Sequence, residues 1–88
     1  MSIVHSPAKL FDEIAALFAS GPSPEEVLGF RASEASIQRA SELLELNRQN
    51  RLDDDQRREL DQYEQAELLM RLVKARIRAN PVQNARAS

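Results

Sequence analysis

The chain has no cysteine, no tryptophan, one tyrosine, one histidine and only two glycines among its 88 residues. Without cysteine there are no disulfide staples and no thiolate metal sites. Aromatic residues make up 5% of the chain, which disfavours a strand-rich core and leaves few rings to stack on bases. No apolar run approaches the roughly 18 residues of a membrane span. The N-terminal stretch MSIVHSPAKLFDEIAAL carries acids at Asp12 and Glu13 and lacks a cleavage-type signal, so a cytoplasmic setting is expected. The single histidine, His5, has no neighbouring acid, so it reads as a surface residue rather than part of a Ser-His-Asp arrangement. It also rules out the paired Glu-x-x-His motifs of a di-iron bundle. No glycine-rich phosphate loop is present. The sequence therefore offers no catalytic residue, no metal ligand set and no cofactor site.

Ala, Leu, Glu, Gln and Arg abound instead, and all favour helix. Ser6-Pro7 reads as a helix start, and Leu10, Phe11, Ile14, Leu17 and Phe18 follow at three- and four-residue spacing, forming one apolar stripe. Gly21-Pro22 ends that helix, and Ser23-Pro24 opens a short turn of helix that closes near Gly29. Ser33 caps a third helix whose inner side is read as Ile37, Ala40, Leu43, Leu44 and Asn47. Phe11, Phe18 and Phe30 are read as core. Asp53-x-x-Gln56 fits a capping box that starts a fourth helix, which Asn80-Pro81 ends.

The most charged stretch, NRQNRLDDDQRREL (47–60), falls at the junction of the third and fourth helices. Asp53, Asp54 and Asp55 suit the positive start of a helix, and Arg48 and Arg51 suit the negative end of the one before. A calcium loop would need a central glycine, and none follows Gly29.

The expected fold is all-α: a long antiparallel helical hairpin, residues 33–50 and 54–79, with one or two short N-terminal helices packed on it. One domain is expected over 1–79, with 1–5 frayed and 80–88 a disordered tail. Turning near 51–52 sets Ala40 against Tyr63, Leu44 against Glu59 and Leu60, and Ser33 near Met70. Residues 71–79 then project beyond the third helix. Leu72, Val73 and Ile77 make that end apolar, and surface of this width is seldom left to water. The N-terminal helices are the expected cover, giving a monomer; the same helix of a second chain, giving a homodimer, is the alternative.

Charge is unevenly spread along the last helix. Residues 53–70 carry seven acids and two bases, whereas 71–88 carry five bases and no acid. Arg71, Lys74 and Arg78 share one face, with Arg76 beside them. Bases suit a helix C-terminus in any case. As a functional surface they would take an acidic protein partner or nucleic acid, although the acidic total and the scarce aromatics weigh against nucleic acid. The candidate partner-binding set is Arg71, Lys74, Arg76, Arg78, Leu72, Val73 and Ile77.

Residues 27–79 carry the pattern Phe30-Arg31-x-Ser33, Leu43-Leu44-x-x-Asn47-Arg48, Glu59-Leu60-Asp61-x-Tyr63, and Glu67-x-Leu69 followed by Leu72-x-Lys74-Ala75-Arg76. This pattern resembles a group of short, uncharacterised bacterial helical proteins often encoded beside HNH-type nuclease genes. The turn, which often carries glycine in that group, reads RQNRLDD here. The resemblance implies a non-enzymatic regulatory or interaction protein with a protein partner, antitoxin-like towards a nuclease. A small nucleic-acid-binding regulator using the basic end of the last helix is the alternative. The group supplies no catalytic residue to carry over.

Overall fold

The structure, a computed structural model, describes residues 9–80. The expected frayed start at 1–5, the Ser6-Pro7 helix start, His5 and the tail from Pro81 onward lie outside those residues. Within them the fold is all-α, in the order α1 (Lys9–Ala19), α2 (Pro24–Leu28), α3 (Glu34–Arg48) and α4 (Asp54–Arg78).

Each boundary has a local cause. Gly21 sits in the left-handed region at φ +67, and a Cβ there would meet nothing, so backbone conformation alone favours glycine. Ser23 and Glu26 form a reciprocal capping box at the start of α2. Asp53 and Gln56 form another at the start of α4, with Gln56 N–H donating to Asp53 Oδ1 at 2.7 Å and Asp53 N–H to Gln56 Oε1 at 3.0 Å. Asp54 and Asp55 follow in the first turn, against the positive helix end. At the close of α3, Asn50 takes φ 58. The N–H of Arg51 reaches the carbonyl of Leu46 and that of Asn50 reaches Asn47. These two bonds make a Schellman motif, in which Asn50 takes the left-handed position usual for glycine.

The expected facing pairs share one groove, Ala40 with Tyr63 and Leu44 with Leu60. Ser36 also lies beside the Tyr63 hydroxyl, and Arg39 meets Glu59, through Nε–Oε2 at 2.8 Å and Nη2–Oε1 at 2.9 Å. The buried side of α3 is nonetheless narrower than expected. Leu43 is fully buried and Ser36 nearly so, whereas Ile37 and Leu44 stay 54% and 47% exposed and Asn47 is exposed. The physical reason is angular: Ser36 and Leu43, seven residues apart, share one face of α3, whereas Ile37 and Leu44 each lie one residue, about 100°, further round the helix.

α4 has 25 residues against 15 in α3, so its C-terminal part projects beyond α3. The N-terminal helices fill the space. α4 packs on all three other helices, most extensively on α1. Leu10, Ile14 and Val27 join Leu43, Leu60, Tyr63, Ala66 and Met70 in one core, with Phe11, Leu17, Phe30, Val73 and Ile77 packed against it. Phe18, expected in the core, is 43% exposed, since it falls where α1 runs out towards Gly21. Among the described residues, no helix is long and apolar enough to cross a membrane.

Candidate functional site

Glu13 of α1 is the pivot of a polar cluster at the start of α3. Its carboxylate accepts from the Ser33 N–H at 2.9 Å, Ser33 Oγ at 2.5 Å and Ser36 Oγ at 2.8 Å. Ser33 Oγ in turn accepts from the Ser36 N–H at 3.1 Å, as an N-cap should. A carboxylate borrowed from α1 thus completes the cap of α3, at the helix end that favours negative charge. Partial burial pushes the Glu13 carboxyl up, but the hydrogen bonds from Ser33 and Ser36, with Lys9 nearby, outweigh burial and hold it below its ordinary value. Burial pushes the Tyr63 phenol up, against the opposing effect of the Ser36 hydroxyl. The Glu59 hydrogen bonds raise Arg39 further above its usual range, so the Arg39–Glu59 pair is a bidentate charged clasp between α3 and α4.

Beside this cluster runs a groove between α3 and α4. Ile37, Ala40 and Leu44 form one wall, Leu60 and Tyr63 the other, and Leu10, Ala32 and Ser36 close it; Glu64 and Glu67 stand at its rim. Its volume is about 160 Å³. A second hollow of about 260 Å³ continues from it past Phe30 and Met70 to Arg71 and Lys74. Each is below the roughly 300 Å³ at which small-molecule sites begin. As a shallow apolar trough with exposed walls, the pair has the form of a seat for a side-chain row rather than an enclosure for a metabolite. Among the described residues, no three His, Cys, Asp or Glu side chains converge as a metal cluster would.

The residues singled out in the sequence do not form one continuous exposed surface. Lys74 is half-buried and its Nζ donates to the Phe30 carbonyl at 2.8 Å, so it ties α4 to the α2–α3 connection. Val73 and Ile77 are half-buried against the core. Arg71 is exposed and reaches Glu67 at 3.5 Å. Arg76 and Arg78 are exposed in the last turn, with no side-chain ion pair to either among the described residues. Leu72 is 55% exposed. The stripe is therefore divided: Lys74, Val73 and Ile77 serve the chain's own packing, while Leu72, Arg76 and Arg78 face outward.

Sequence reasoning missed Glu13 and Ser36 as features of this region; it placed Ile37 and Leu44 on the α4 side of α3 but expected them buried. The small residues Ser36 and Ala40, seven and three residues before Leu43, were the available signal for the seam. Nothing local marks Glu13, whose partners are 20 and 23 residues away. No protein-family model matches the chain, and neither the curated proteins nor the solved structures give a match.

Proposed function

We propose that the chain is a non-enzymatic interaction protein that seats an apolar, basic segment of a partner protein in the α3–α4 groove. The observation that carries this reading is the exposure of Ile37 and Leu44, 54% and 47%, as the wall of a concave apolar surface. Large apolar side chains grouped beside a groove mark binding surfaces more often than scattered ones do. Among the described residues, the charged side chains that line the groove are Glu64 and Glu67, so lysine or arginine beside the partner's apolar row would be favoured. A helix laid in a groove by an i, i+3/i+4 row of anchors is the recognition mode that fits this shape. The resemblance in residues 27–79 narrows the partner to an HNH-type nuclease, towards which the chain would act in an antitoxin-like way.

The test is co-expression with a nuclease-like protein encoded beside this chain. Co-purification is expected. Ile37→Glu with Leu44→Glu should abolish it while helicity by circular dichroism stays unchanged, since neither side chain is in the core. A wild-type chain that neither associates with the nuclease nor alters its activity would overturn the reading, and so would a double variant that binds as well as wild type. A nucleic-acid-binding role draws less support, because Lys74 is engaged with Phe30 and Arg71 faces Glu67, leaving Arg76 and Arg78 as the outward bases.

A further inference from the structure

The face of α4 opposite the core is regular. Asp61, Gln65, Leu68, Leu72, Ala75 and Ala79 succeed one another at alternating steps of four and three residues, and all six are exposed. This is the spacing of a coiled-coil seam. At its centre Leu68 and Leu72 are 49% and 55% exposed, with Leu69 beside them at 42%. α1, α2 and α3 all pack on the other side of α4, where Leu60, Tyr63, Ala66 and Met70 are buried.

We infer that this seam pairs with the same seam of a second copy, antiparallel, about a two-fold axis near Met70. The heptad spacing and the charge distribution point to this occupant independently. An antiparallel seam sets each position of one heptad class against the other class of the partner helix. The spacing here closes consistently: Leu68 meets the partner's Leu72, Gln65 the partner's Ala75, and Asp61 the partner's Ala79. The two leucine layers fall at the centre, with a large residue facing a small one on either side of them. Charge then selects the orientation. The acids of α4 lie before Leu68 and the bases after it, with the arginines at 57 and 58 the only bases before it. A parallel pair would set Arg71 towards the partner's Arg76, like charge on like, twice by symmetry. An antiparallel pair sets Glu64 towards the partner's Arg78, twice by symmetry, and brings Leu69 onto its own copy at the axis. Arg71 approaches its own copy on the opposite flank, and each is faced by Glu67 of its own chain. The seam shares Glu64 and Glu67 with the rim of the α3–α4 groove but none of its apolar residues, so Leu68 and Leu72 substitutions test the seam and Ile37 and Leu44 substitutions the groove.

Analytical ultracentrifugation of the full chain should show a concentration-dependent dimer. Leu68→Glu with Leu72→Glu should return it to monomer with unchanged helicity, both side chains being exposed. Orientation can be read by cysteine cross-linking, because the chain has no cysteine of its own. Gln65→Cys/Ala75→Cys in one chain should oxidise to a covalent dimer, while either single variant should not, since each site lies about 15 Å along the helix from its own copy. A full chain that stays monomeric up to its solubility limit overturns the proposal. A dimer that survives the double glutamate variant places the interface elsewhere and overturns it too. Cross-linking by either single cysteine variant overturns the antiparallel arrangement.

Discussion

Glu13 shows how much one side chain can organise in a chain with few special residues. It joins α1 to the cap of α3 by three hydrogen bonds. Glutamine offers one neutral amide oxygen where two carboxylate oxygens accept three hydrogen bonds, so the cluster, which includes Ser36 at 1% exposure, loses charge and an acceptor together. Glu13→Gln should cost about 1 kcal/mol near neutral pH, in the range for a partly solvated charged hydrogen bond. The pH dependence has a definite sign. The folded carboxyl is held below its ordinary 4.5, so its contribution is complete above that value and is lost as pH falls below it through the depressed folded value. Urea titrations of the two proteins should therefore differ at pH 7 and converge as pH falls below 4.5.

Among the elements, the helix starts were legible and the helix faces were only partly so. Ser23, Ser33 and Asp53 could be read as caps because a cap is a local pattern of a few residues, and all three cap in the structure. On α3 the sequence pattern admits Ile37 and Leu44 to the inner face along with Leu43, whereas burial falls on the Ser36–Leu43 line about 100° away. The candidate groove was hidden for the same reason: its wall is the pair Ile37 and Leu44 that the core rejects. The covering of α4 by α1 and α2, by contrast, followed from the projecting apolar end and needed only the N-terminal stripe to fill it. Deleting residues 1–22 should uncover Met70, Val73 and Ile77 and remove Glu13 from α3. The expected result is aggregation or a loss of cooperative unfolding, read by light scattering and thermal melts. A truncated chain that remains soluble, folded and monomeric would contradict the packing of α1 on α4.

At the scale of the whole molecule, the chain has two outward apolar surfaces on a single thin core. One is the groove with acidic rim between α3 and α4; the other is the leucine seam on the far side of α4. The core that separates them contains eight buried apolar residues, contributed by every helix, so each surface rests on packing that the other helices complete. A domain of this size buries only about 60–65% of its unfolded surface, and partners on either face would add to its stability by mass action. That arrangement divides the candidate partner-binding stripe. Arg71, Lys74, Arg76, Arg78, Leu72, Val73 and Ile77 are contiguous in sequence, but the helix distributes them between the interior, the α2–α3 connection and the outer seam.

The Schellman turn at Asn50 also sets an order of events in time. α3 and α4 are joined by a short, tightly specified loop, so their docking requires little chain closure, whereas Leu10 and Met70 must meet across sixty residues. Contacts between near neighbours form early and distant ones late. The α3–α4 hairpin should thus be the nucleus of folding, and α1 the last element to lock on. Stopped-flow measurements on Leu43→Ala should show slower refolding, while Ile14→Val should chiefly hasten unfolding. Equal effects of both substitutions on the refolding rate would mean that α1 is already in place when the barrier is crossed.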